Sequence, residues 1–226
     1  LEQGSRLRMT QLVDEVLPGR PYGVLTGPNL AKEILAGSAA AAVIAMSDPG
    51  ISEELQRVFT SNLFRVYVND DVVGSELAGA LKNVMALAAG MADGLGTGDN
   101  TRAAVITRGL AELTRLGVAM GGRAETFAGL AGMGDLVATC ISPQSRNRHV
   151  GEQLGKGRSL EEIIEEMHMV AEGVKTTKVV MELARDYDVY MPIAEQMDLV
   201  CNQGCTPEAA YRGLLKHEVK HELLGP

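Results

Sequence analysis

The stretch ELAGALKNVMALAAGMADG, residues 76–94, is almost continuously apolar, and from Leu77 to Ala92 its only charged side chain is Lys82. A lone ammonium in such a run has two fates. Either its stem packs on the core while its head reaches water, or the amine is held in a pocket for chemistry. The apolar turns on both sides, with Asn83 alongside, weaken the first and leave both open. Apolar surroundings penalise the charged form of an amine, which suits a lysine to general acid–base work. A lysine so placed fits proton transfer to or from a carbonyl or alcohol oxygen.

A second chemical segment is GLAGMGDLVATCISPQSRNRHVG, residues 129–151. Gly129, Gly132 and Gly134 permit close approach of backbone to a ligand or another helix, and Asp135 is the only acid between Glu125 and Glu152. Ser145, Arg146, Asn147, Arg148 and His149 then follow in succession. Such a donor-rich set suits the oxygens of a phosphate, with arginine supplying bidentate geometry. A solvated basic loop offsetting nearby glutamates is the alternative. The glycine-rich aspartate segment just upstream tips the reading towards an anion site. His149 reads as a surface or capping residue, and His168, His217 and His221 lack ligand spacing and are assigned no chemistry.

The third segment is LTGPNLAKEI, residues 25–34. A strand ends, Gly27-Pro28 turns, Asn29 can cap, and a helix is predicted from Leu30. The free N–H groups of such a terminus suit an anion, although a plain strand-to-helix connection is the simpler reading. GLGTGD (94–99) and GMGDLV (132–137) are glycine-rich, but neither completes G-x-G-x-x-G or follows a predicted strand. No dinucleotide fingerprint stands in these 226 residues.

Two textures supply the scaffold for these groups. Over residues 1–70, the apolar or β-branched runs YGVLT (22–26), AAAVIAM (40–46) and FRVYVN (64–69) predict strands. NLAKEILAG and PGISEELQRVFTS predict the helices between them. This alternation implies an α/β layer with some parallel pairing. Three strands make a poor independent sheet, so the region reads as part of a larger one. From Asp71 to residue 226 the strand signals stop. Long helices are predicted over residues 70–96 and 100–121, and SLEEIIEEM carries a capping box of Ser159 and Glu162. TTKVVMELARDY and TPEAAYRGLLKH read as amphipathic helices, the latter with Thr206 as cap and Pro207 in its first turn. The fold class expected is therefore a partial dinucleotide-binding, Rossmann-like α/β domain (1–70) followed by an all-α substrate and catalytic domain (71–226).

Composition narrows the partners. With 46% hydrophobic and 22% charged residues the chain is that of an ordinary globular protein. A net charge of −8 offers no broad basic field, which argues against nucleic acid and anionic membranes while leaving small anionic metabolites open. Cys140, Cys201 and Cys205 are odd in number and lack CxxC spacing, and read as reduced cytosolic thiols with no metal site. ILAGSAAAAVIAM is too short to span a bilayer, and the Lys82 helix is interrupted by Lys and Asn. No secretory leader is evident, and the reading is of a cytoplasmic protein without stable membrane insertion.

Taken in order, GPNLAKE, YVNDDVVGSELAGALKNVMALAAGMADGLGTGDNTRAAVITRGLAE, LAGMGDLVATC, SRNRHVG, MVAEGVKT and MPIAEQ resemble the NAD(P)-dependent glycerol-3-phosphate dehydrogenases of the bacterial type over nearly the whole chain. The most distinguishing piece is SRNR. The resemblance implies interconversion of sn-glycerol 3-phosphate and dihydroxyacetone phosphate with NAD or NADP, supplying glycerophospholipid synthesis, in a homodimer. It implies that Lys82 is the catalytic proton donor and acceptor. It places Gly27, Asn29, Lys82, Asp135, Ser145, Arg146 and Asn147 on the substrate and Ala31, Arg146, Val170 and Glu172 on the cofactor, with Thr139 as a supporting pocket residue.

Departures from the family pattern also carry expectations. Many members have Ser or Thr where Asn29 stands. The family's fingerprint and the lysine of a Lys-Gly-Leu-Glu string are not matched, and only Leu1-Glu2 remains of that string. The chain is thus expected to lack about half of a nucleotide domain and to show no turnover alone. Two rivals stay open. One is a non-catalytic helical anion-binding or dimerisation module derived from the enzyme, and the other is a related hydroxyacid dehydrogenase.

Overall fold

The computed structural model describes residues 1–167 and 171–216. Its elements run α1 (Met9–Val16), β1 (Gly23–Thr26), α2 (Ala31–Leu35), β2 (Ala40–Met46), α3 (Pro49–Phe59) and β3 (Phe64–Asn69). Helices alone follow among the described residues: α4 (Val72–Gly94), α5 (Asp99–Ala119), α6 (Ala124–Ala128), a π-helical turn (Leu130–Gly134), α7 (Asp135–Ile141) and α8 (Arg146–Gly155). The last are α9 (Leu160–Glu166), α10 (Glu172–Asp186), α11 (Pro192–Gln203) and α12 (Pro207–Lys216). This is a Rossmann-like α/β fragment followed by an all-helical region, as the texture of the sequence implies.

The chain divides into two compact units, one of Leu1–Lys82 with Leu113–Ala138 and one of Asn83–Glu112 with Thr139–Pro226. In the first, the sheet order is β1-β2-β3. Strands β2 and β3 pair in parallel, whereas β1 and β2 are antiparallel. Only the first of these ladders is the parallel pairing expected from strand–helix alternation. Ile44, Met46 and Val66 form a small core under the sheet, closed by Ile51, Leu55 and Phe64. Helix α3 starts where Asp48 accepts a hydrogen bond from the Ile51 amide at 3.1 Å, with Pro49 in the first turn. Helix α2 begins at Ala31 with Leu30 as N-cap, not at Leu30 with Asn29 as cap. The reason is local: Gly27 at φ +126° and the following Pro28 lengthen the turn by a residue.

Two carboxylates tie helix α4 into this unit. Asp71 precedes its first turn and accepts from the Gly74 amide at 2.8 Å, the Arg123 amide at 2.8 Å and the Thr126 hydroxyl at 2.7 Å. Glu76 accepts from the Thr10 amide at 2.9 Å and from Arg8 Nη1 at 2.8 Å, holding the start of α1. By length and composition α4 is apolar enough to cross a membrane, at mean hydropathy 1.2, a property that its lysine and asparagine do not remove. Yet 72% of that apolar window is buried inside the protein, as in a core helix.

The second unit is built on backbone contact between helices. A Cβ on Gly90 would lie 2.0 Å from the Arg148 carbonyl oxygen, and one on Gly151 would lie 2.0 Å from that of Leu87. Gly94 and Gly155 meet one turn further on, where each Cβ would sit 3.0 Å or less from the other glycine's Cα. Glycine at four-residue spacing on both helices thus lets α4 and α8 touch along their backbones. Buried Glu112 accepts from the Ile193 and Ala194 amides at 2.8 and 3.2 Å, which satisfies the start of α11. The predicted Ser159–Glu162 capping box is present, and Thr206 accepts from the Ala209 amide at 3.2 Å. Substituting Gly151 by Ala drives a methyl into backbone that cannot yield, so Gly151→Ala is expected to lower stability by about 1–3 kcal/mol, read as a fall in thermal midpoint.

Candidate active site

Lys82 lies on α4 among side chains that are nearly all buried, and its own side chain is only 20% exposed. Its ammonium donates to Oδ1 of Asp135, whose side chain is 6% exposed, across 53 positions of sequence. The lysine therefore does not simply reach for water. It is held by a buried carboxylate. Asp135 stands where the π-helical turn passes into α7, a wide turn in which the Gly134 amide donates to the Gly129 carbonyl at 3.1 Å. Such turns concentrate at functional sites. Gly132 is obligatory here, because a Cβ would lie 2.1 Å from the carbonyl oxygen of buried Phe127.

The β1–α2 connection reaches the same aspartate. The Thr26 hydroxyl donates to Asp135 Oδ2 at 3.2 Å, and the ring of Pro28 would lie 3.5 Å from a Cβ on Gly134. Gly27 is buried at φ +126° with Ala42 Cα 3.1 Å from its would-be Cβ, so only glycine fits. Asn29 is half-buried and Ala31 exposed. The first unit thus brings together Lys82, Asp135 and the GPN turn. Spacing in the sequence did not single out Thr26, since a threonine ending a strand carries no pattern that marks it.

The second unit holds the other predicted residues. SRNR is not a loop but the beginning of α8: Ser145 is its N-cap and accepts from the Arg148 amide at 3.2 Å. Asn147, buried, donates from Nδ2 to Asn83 Oδ1 at 3.0 Å and accepts from the Gly173 amide at 2.8 Å. The two arginines differ. Arg148 donates through Nη2 and Nε to Asp93 at 2.8 and 3.2 Å and lies 3.3 Å from Glu152. Arg146 is 41% exposed and, among the described residues, approaches Glu172 at 3.9 Å, which joins two residues predicted to contact a cofactor. The hydrogen bond from Lys156 holds the Glu152 carboxyl below its ordinary range, with the charge of Arg148 adding to the effect. Thr139 is buried on α7, four residues after Asp135. Val170, His168, His217 and His221 lie outside the described residues.

Among the described residues no group of His, Cys, Asp and Glu could hold a metal ion. Cys140, Cys201 and Cys205 are free thiols. Burial, reinforced by the charge of Asp198, pushes the Cys201 thiol up to about 12. The thiolate is the reactive form, so alkylation of native Cys201 by iodoacetamide at neutral pH is expected to run at least ~100-fold slower than in urea-unfolded chain, as read by peptide mass spectrometry. Asn147→Ala would strand the Gly173 amide and the Asn83 carbonyl oxygen, and is expected to cost about 1–3 kcal/mol in a denaturant titration.

The family model described as NAD-dependent glycerol-3-phosphate dehydrogenase C-terminus matches residues 71–212, and the corresponding N-terminus model matches residues 1–52. The glycerol-3-phosphate dehydrogenase (NAD(P)+) of Mycobacterium avium is 57% identical over all of this chain, which spans 66% of that relative's length. A second such enzyme, from Sphingopyxis alaskensis, is 60% identical over 98% of the chain and 67% of its own length. Among solved structures, the glycerol-3-phosphate dehydrogenase of Coxiella burnetii superposes with a TM-score of 0.91 at 39% identity, covering 95% of this chain and 66% of that one. The chain belongs to the NAD-dependent glycerol-3-phosphate dehydrogenase family.

Proposed function

We propose that this chain supplies the proton-transfer and substrate-binding residues for interconverting sn-glycerol 3-phosphate and dihydroxyacetone phosphate with NAD or NADP, in the service of glycerophospholipid synthesis. One observation carries the reading: Lys82 is the only charged side chain from Leu77 to Ala92, and a buried aspartate 53 residues away holds it. In reduction, Lys82 protonates the ketone oxygen. In oxidation it accepts the hydroxyl proton. Pairing with Lys82 assigns Asp135 the orienting task. Gly27 and Asn29 are assigned to substrate, as are Ser145, Arg146 and Asn147.

Arg146 carries the anion chemistry. With 41% of its side chain exposed and Glu172 no nearer than 3.9 Å, its donors remain available to phosphate oxygens, which suits both a phosphorylated substrate and a nucleotide. Arg146, Ala31, Glu172 and Val170 are accordingly assigned to the coenzyme. When bound, a nicotinamide coenzyme supplies hydride exchange at C2 of the substrate. The residues of this chain position the phosphate and move the proton. Residues 1–70 are read as the later part of the dinucleotide-binding domain and residues 71–226 as the substrate domain. The protein is taken to be a cytoplasmic homodimer without nucleic-acid partners or stable membrane insertion.

The test is oxidation of NADPH by dihydroxyacetone phosphate in the protein carrying this chain. Lys82→Ala is expected to lower kcat by at least ~100-fold, and Arg146→Ala to act mainly through KM. A Lys82→Ala protein that turns over like the wild type would sink the reading. Thermal stabilisation by dihydroxyacetone phosphate without turnover would support an anion-binding module instead. Oxidation of phosphate-free hydroxyacids independent of Arg146 would support a hydroxyacid dehydrogenase.

A further inference from the structure

The Lys82–Asp135 pair has a third member. Lys82 occupies Oδ1 of the carboxylate, and the Thr26 hydroxyl donates to Oδ2 at 3.2 Å. Thr26 is the last residue of β1, a strand that is hydrogen-bonded along its length to β2. It is followed by Gly27 in a conformation that only glycine adopts easily, so the backbone at Thr26 has little freedom. A hydroxyl fixed in this way prevents the carboxylate from rotating about its Cβ–Cγ bond.

Helix α4 is shaped to admit this hydroxyl. Gly79 lies three residues before Lys82 on the same face of the helix, and a Cβ there would lie 2.9 Å from Thr26 Oγ1. Alanine at 79, the better helix former by about 1 kcal/mol, would press on the hydroxyl and shift it from Asp135. The small residue in the middle of a buried helix therefore has a local purpose. It leaves room for the group that aligns the partner of Lys82.

We infer that Thr26 is a positioning residue: it orients the Asp135 carboxylate so that Oδ1 holds the Lys82 proton, and Gly79 provides the space for it. This rests on the reading of Lys82 as the acid–base group. It concerns how the ammonium is held, not what it acts on, so the two can fail separately.

The experiment is competitive acylation of the native protein with a low concentration of acetic anhydride at neutral pH, with each lysine quantified by peptide mass spectrometry. Only the unprotonated amine reacts, so a firmly paired lysine labels slowly. Thr26→Val is expected to raise the rate at Lys82 about two- to fivefold, Asp135→Asn to raise it further, and Thr26→Ser to leave it unchanged. The double variant Thr26→Val/Asp135→Asn should match Asp135→Asn alone, because the hydroxyl acts only through the carboxylate. Alkylation of Cys140, a free thiol with no exposed surface, serves as the reference that a general loosening of the fold would move as well. An unchanged rate at Lys82 in Thr26→Val, a rise accompanied by faster alkylation of Cys140, or an additive double variant would each overturn the proposal. Turnover measured on the same proteins separates the two readings. If Lys82→Ala keeps its activity while the labelling pattern holds, the function assigned to Lys82 fails and the role of Thr26 stands.

Discussion

A charge inside apolar surroundings must be matched, and the first unit is organised around one such match. Lys82 and Asp135 are both largely withdrawn from water, and neither would be tolerated alone: removing one partner of a buried pair costs about 3–5 kcal/mol because the other is left uncompensated. The pair holds only if two segments far apart in sequence keep a fixed spacing. Asp71 enforces this, because it caps the start of α4 and also grips Arg123 and Thr126, the segment that leads through the π-helical turn to Asp135. Glu76 adds a second tie, to α1. These buried carboxylates have hydrogen-bond donors around them, so the apolar helix carries its polar groups at low cost.

In the second unit, closeness of backbone has the same organising effect. Gly90, Gly94, Gly151 and Gly155 bring α4 and α8 within contact of each other's main chain. At that distance the short side chains of Asn83 and Asn147 reach one another, and Asn147 still reaches the Gly173 amide. Longer side chains at the glycine positions would open this spacing and break the amide chain before any ligand group was touched. The start of α8 is thereby fixed from two directions. Arg146, the first residue of the helix, inherits its position from contacts made by its neighbours.

Much of this was legible in the sequence, and the exceptions have identifiable causes. The three strands lay where β-branched runs were bounded by Gly, Pro or Asn, and the capping box at Ser159 was read from side chains that contact their own neighbours. Interactions of that range leave local patterns. The antiparallel ladder between β1 and β2 left none, because strand direction is decided by partners distant in sequence. A cap at Asn29 predicts a start at Leu30, but Gly27 and Pro28 carry the turn one residue further, so α2 starts at Ala31. SRNR leaves a basic loop and an anion site both open, and although serine is a strong N-cap, a single serine does not fix where α8 begins. Lys82 and Asp135 could each be singled out, but their pairing, and the presence of Thr26 beside them, depend on tertiary contacts that no spacing encodes.

The distinction between Arg146 and Arg148 shows how an acidic chain can favour an anion. With a net charge of −8 the protein repels phosphates at a distance, yet at physiological ionic strength that field decays over about 8 Å. Within that range local groups decide. Arg148 is neutralised by Asp93 and Glu152, and Glu152 is shared with Lys156, so this cluster fastens α8 and contributes little free charge. Among the described residues, Arg146 keeps an exposed guanidinium with a long contact to Glu172. The positive end of the α8 macrodipole lies at the same position and adds to it. The two arginines on either side of an asparagine therefore differ: one fixes the helix, and the other keeps an exposed guanidinium. Because a guanidinium binds two oxygens at once, this arrangement favours a phosphate over a single hydroxyl, whereas a lysine at 146 would offer charge without that geometry.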